Sequence, residues 1–113
     1  MTTIWHNPRC SKSRQTLTLL QDRGIDVVVV DYQKTPPSTD ELRDVIAALG
    51  VNPHDIIRNT ETIYRDLGLS PDTPHGGLIA AMAAHPKLIE RPIVIHNNRA
   101  AIGRPPETVL ELF

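Results

Sequence analysis

The pattern of apolar and polar positions changes period twice within the first thirty residues. Residues 2–5 form a short extended run that stops at His6-Asn7-Pro8, because the residue before a proline is pushed out of helical geometry. From Ser11 a helical period takes over, with Ser13, Leu17 and Leu20 on one face and Gly24 as a stop signal. Residues 25–30 are β-branched and almost wholly apolar, the pattern of a strand covered on both faces. A strand, a crossover helix and a second strand of these lengths predict a parallel, right-handed βαβ unit.

Thr35-Pro36-Pro37 breaks the chain, and Ser38 with Glu41 has the spacing of a capping box ahead of a helix carrying Leu42, Val45, Ile46 and Leu49, which stops at Gly50. Short apolar pairs between residues 52 and 70 predict small helices, and an alanine-rich helix around 78–84 ends at His85-Pro86. Residues 93–96 and 100–102 read as strands joined through Asn97-Asn98, which tolerate the left-handed geometry of a two-residue hairpin turn. Pro105-Pro106-Glu107 suits the first turn of a terminal helix. The order is β-α-β, a helical middle, β-β-α, which is an α/β class. No repeat or linker marks a second domain, so residues 1–113 read as one domain with a helical insertion at about 38–86. Trp5 and Tyr64 are expected in the core.

Composition narrows the function classes. Lys+Arg number 12 and Asp+Glu 13, a net charge of −1, which argues against broad nucleic-acid backbone binding. No apolar run approaches the roughly 20 residues of a membrane span, and residues 1–9 lack the apolar core of a secretory signal. The expectation is a cytoplasmic protein, reducing enough to keep a thiol free. The single cysteine, Cys10, excludes an internal disulfide, a cysteine zinc cluster and a redox cycle resolved within the chain. His54, His75, His85 and His96 lack metal-ligand spacing, so no metal and no bound cofactor are expected.

Cys10 lies where the first strand has ended and the first helix begins, close to unpaired backbone N–H groups and the positive end of the helix dipole. With an ordinary thiol pKa of about 8.5, about 3% of a free cysteine is ionised at pH 7, and a fall of about two units would ionise roughly three-quarters. That fall corresponds to about 2.7 kcal/mol, whereas a helix terminus supplies about 0.3–1 kcal/mol. Neighbouring donors must supply the rest, and His6, Ser11, Lys12, Ser13 and Arg14 are within a few residues. The polar flanks Asn-Pro-Arg and Ser-Lys-Ser-Arg are unlike those of a buried structural cysteine. Spacing excludes two thiol motifs. The arginine of a phosphatase-type loop would follow after five residues, and a dithiol motif would need cysteine where Ser13 stands.

Nine arginines against three lysines suit recognition of a tetrahedral oxyanion by guanidinium forks. Arg23, Arg43, Arg65 and Arg99 read as solvated side chains, whereas Arg58, Arg91 and Arg104 stand at the ends of elements, where sites are usually built.

The segment His6-Asn7-Pro8-Arg9-Cys10-Ser11-Lys12-Ser13-Arg14 resembles the active-site segment of the glutaredoxin-coupled arsenate reductase (ArsC) family. Residues 88–95 around Arg91-Pro92, the pair Arg104-Pro105, and Ile57-Arg58 followed by residues 64–69 resemble its later and middle motifs. Ser11-Lys12 stands where the best-known members carry Gly-Thr. The resemblance implies a thioredoxin-like fold with a four-stranded mixed sheet and a cis peptide before Pro92. It implies Cys10 as the nucleophile toward arsenate, Arg58, Arg91 and Arg104 as oxyanion ligands, and His6, Ser13 and Arg14 as supports of the thiolate. Glutathione as co-substrate, glutaredoxin as partner and a monomeric chain complete that expectation. Two other readings stay open: an Spx-like regulator that contacts RNA polymerase, and a glutathione-dependent thiol transferase acting on protein disulfides.

Overall fold

β1 (Thr2–His6) and β2 (Val27–Asp31) pair in parallel, joined by α1 (Ser11–Asp22), so the βαβ unit is present. The computed structural model describes residues 1–113. β3 (Ile93–His96) pairs antiparallel with β1, and β4 (Arg99–Ile102) antiparallel with β3, giving the mixed order β2-β1-β3-β4. This is the thioredoxin-like, four-stranded α/β arrangement. Asn97 and Asn98, at φ 49° and 65°, make the two-residue turn of the β3–β4 hairpin, where both central residues must be left-handed.

The chain divides into two compact units, one formed by Met1–Thr35 with Arg91–Phe113 and the other by Pro36–Glu90. In the sheet unit, Ile4, Leu20, Val94, Val109 and Leu112 form a buried cluster, with Leu17, Ile25, Val27 and Ala101 packed on it. The helical unit contains α2 (Thr39–Leu49), α3 (Thr62–Asp66) and α4 (His75–Ala84), with short 3-10 turns at Pro53–Asp55 and Pro86–Leu88. α4 packs on α2 and on both turns, burying Leu78, Ile79 and Met82. No helix is long and apolar enough to cross a membrane.

Three expectations change. β2 is an edge strand and not one covered on both faces, with Val28 and Val29 exposed by 47% and 46%. A run of valines carries no alternation that would tell one sheet face from the other, so the sequence pattern could not place it. The terminal helix is 3-10 over Pro106–Leu112 and not α-helical. Trp5 is buried, whereas Tyr64 is only half-buried in the short α3.

Candidate active site

The chain leaves β1 at His6 and turns through Asn7-Pro8-Arg9 into α1. Two hydrogen bonds set this turn: Cys10 N–H donates to the Asn7 carbonyl at 3.0 Å, and Arg9 N–H donates to Asn7 Oδ1 at 3.0 Å. Arg14 N–H then donates to the Cys10 carbonyl at 3.0 Å, the first bond of α1. Cys10 is therefore the N-cap residue, with extended backbone at φ −96° and ψ 122°. Its side chain closes no cap bond, and no acidic residue occupies the first turn.

The thiol is nearly enclosed, at 9% exposure. Burial is the largest single influence on its ionisation and opposes it. Against burial stand the backbone N–H of Ser13, a hydrogen bond and the charge from the Arg91 guanidinium, and the backbone N–H of Lys12. Together they outweigh it and hold the Cys10 thiol below its ordinary value.

Arg104 reaches the same sulfur, with Nη2 at 3.6 Å from Sγ. Its Nε donates to the Arg91 carbonyl at 2.8 Å, so one side chain fixes the Arg91 backbone and presents a cation to the thiol. Both arginines precede prolines, and the Arg91–Pro92 and Arg104–Pro105 peptide bonds are cis. Gly103 N–H donates to the Pro92 carbonyl at 2.9 Å. A Cβ on Gly103 would lie 2.5 Å from Thr16 Oγ1 and 2.7 Å from Pro92 Cγ, so only glycine lets α1, Pro92 and the end of β4 approach this closely.

The remaining loop residues make a second layer around the turn. His6 Nδ1 and the Ser13 hydroxyl share a buried 2.6 Å hydrogen bond, and Asn7 N–H donates to the same hydroxyl at 3.0 Å. The Ser13 side chain thus holds the end of β1, while its backbone N–H acts on the sulfur. Burial pushes the His6 pKa down; Asp31 pulls it up and Arg14 pushes it down, leaving it below the ordinary value and the ring neutral at pH 7. Arg14 Nη1 donates to the Pro8 carbonyl at 3.0 Å, clasping the turn.

Arg58 belongs to the helical unit. Its Nη1 donates to Glu90 Oε1 at 2.8 Å, with side chains 21% and 26% exposed. Two backbone bonds flank the pair: Arg58 N–H donates to the Leu88 carbonyl at 2.7 Å, and Glu90 N–H to the Ile56 carbonyl at 2.8 Å. Cys10, Arg91, Pro92 and Arg104 thus come together in the sheet unit, with His6, Ser13 and Arg14 around them. Glu90 as the partner of Arg58, the close approach at Gly103 and the position of Tyr32 were absent from the sequence reading. Tyr32 carried one usable signal. In a parallel pair the two strands finish at the same end of the sheet, where open α/β sheets bind ligands, and Tyr32 follows the last residue of β2.

The ArsC family model matches residues 5–112 of this chain. The arsenate reductase of Neisseria meningitidis (serogroup A) is 47% identical over 108 residues, which cover 94% of this chain and 92% of that protein. The uncharacterised protein YfgD of Escherichia coli K12 is 49% identical over 111 residues, covering 96% and 93%. A solved structure, the arsenate reductase from Vibrio cholerae, is similar with a TM-score of 0.96 at 48% identity, covering 99% of this chain and 97% of that one.

Proposed function

Because the chain belongs to the ArsC family, we propose that it is an arsenate reductase in which Cys10 is the nucleophile and Arg91 and Arg104 hold the oxyanion. The observation that carries this reading is the convergence of two guanidinium groups on one low-pKa thiol at an uncapped helix N-terminus. A lowered pKa raises the thiolate fraction at neutral pH, and the same cations offset the charge that an anionic substrate brings to it.

The Cys10 thiolate attacks As(V), forming an S–As bond while one arsenic-bound hydroxyl takes a proton from solvent and leaves as water. A glutathione thiolate then attacks Cys10 Sγ. The new S–S bond forms as the S–As bond breaks, and its electron pair stays on arsenic, which departs as arsenite, As(III). Glutaredoxin reduces the resulting Cys10–glutathione mixed disulfide. The single cysteine supports this assignment, because both later thiols must come from other molecules. Arg58 is proposed as the third oxyanion ligand on the motif resemblance, and the setting proposed is a reducing cytoplasm with the chain as a monomer.

The test is NADPH oxidation in a mixture of this protein, arsenate, glutathione, glutaredoxin and glutathione reductase. Arsenate-dependent oxidation that needs all four other components is the expected result. A wild-type protein that leaves NADPH untouched under these conditions, with the coupling enzymes shown to be active, overturns the substrate assignment.

A further inference from the structure

Tyr32 sits immediately after β2, whose last residue, Asp31, pairs with His6 at the end of β1. The ring therefore leaves the sheet at the same end as the turn that delivers Cys10. It is fully buried, at 0% exposure, and no partner stands in hydrogen-bond geometry to its hydroxyl, although the Gln33 and Asn7 side chains lie close enough to act on it. A buried hydroxyl without a partner is uncommon and costly in a folded protein. Its surroundings are those of the active site. Burial pushes the Tyr32 pKa up; the side-chain amides of Gln33 and Asn7 and the Arg91 charge act to lower it, and the Cys10 charge acts to raise it. The hydroxyl thus feels both Arg91 and the reactive sulfur while bonded to neither.

We propose that the Tyr32 hydroxyl is a further donor of the oxyanion site, taken up by an oxygen of the tetrahedral anion that Arg91 holds beside Cys10. This rests on the oxyanion reading above and adds a neutral donor to the arginines. Burial pushes the phenol pKa above its ordinary value, so at neutral pH the hydroxyl is protonated and able to donate. A phenol donates a single directed hydrogen bond and brings no charge. It therefore adds orientation to the anion without adding charge to the site.

Tyr32→Phe removes the oxygen and keeps the ring. The measurement is protection of Cys10 from iodoacetamide by arsenate, phosphate and sulfate, in wild type and variant. It is accompanied by the pH profile of alkylation without anion and by thermal unfolding. The anion concentration giving half-protection is expected to rise about ten- to hundred-fold in the variant, the effect of losing a hydrogen bond to a charged group. The anion-free pH profile is expected to stay in place, and the thermal midpoint to stay or rise, because an unpaired buried hydroxyl has been removed. Equal half-protection in both proteins overturns the role of Tyr32 and leaves the oxyanion reading intact. An anion-free pH profile moved upward in the variant also overturns it, because the hydroxyl would then be serving the thiolate. A wild type that none of the three anions protects overturns both.

Discussion

α1 and α2 begin in opposite ways. At α2 the Ser38 hydroxyl accepts the Glu41 N–H at 3.1 Å and the Glu41 carboxylate accepts the Ser38 N–H at 3.0 Å, a closed capping box with Asp40 and Glu41 in the first turn. At α1 the N-cap residue is Cys10, which closes no cap bond, and the first turn carries no acid. A conventional N-cap stabilises a helix by about 1 kcal/mol. α1 forgoes that, and its Lys12 and Ser13 N–H groups are left to act on a sulfur. The comparison separates two uses of the same orphan donors. In α2 they hold a helix, and in α1 they hold a charge.

The largest expected effect comes from turning one N-terminus into the other. Cys10→Ser gives α1 a preferred capping residue and removes the thiolate its N–H groups favour, so arsenate turnover should vanish while urea unfolding near neutral pH stays within about 1 kcal/mol of wild type, the two effects opposing each other. A larger loss of stability would mean that α1 depends on the thiolate for its fold. Arg91→Ala leaves α1 unchanged and removes the cation, and kcat/KM for arsenate should fall by about a hundred-fold or more in the coupled assay. Gly103→Ala forces a methyl group against Thr16 and Pro92 and should cost about 1–3 kcal/mol in chemical denaturation. Ser38→Ala opens the box at α2, with an expected loss of about 1 kcal/mol and unchanged arsenate kinetics. A change in kinetics there would break the division between the two helix ends.

What could be read from sequence was local. The Ser38–Glu41 box, the Asn97-Asn98 turn and Cys10 at a strand-to-helix junction are each decided within a few residues, so spacing alone carries them. What could not be read depends on partners far along the chain. Ser13 was expected to support the thiolate; its backbone N–H acts on the sulfur, while its hydroxyl is bonded to His6 and to the Asn7 N–H, a choice made by how β1 meets α1. Arg104 could be placed at an element end, but not its bond to the Arg91 carbonyl thirteen residues away. The exposure of Val28 and Val29 follows from the place of β2 at the sheet edge, which the chain order leaves open. Nothing in the sequence singled out the Tyr32 hydroxyl, because an unpaired hydroxyl is visible only once every neighbour is in place.

The central claim is that the open end of α1 and the Arg91 guanidinium together hold Cys10 as a thiolate. Having one cysteine makes the direct measurement clean: the pH dependence of iodoacetamide alkylation, followed by mass in wild type and Arg91→Ala. Because the folded protein favours the thiolate, the wild-type rate should rise to its plateau with an apparent pKa below the ordinary thiol value of about 8.5, and the variant should titrate higher. A wild-type thiol that titrates at or above the ordinary value, or a variant that titrates with it, would contradict the account.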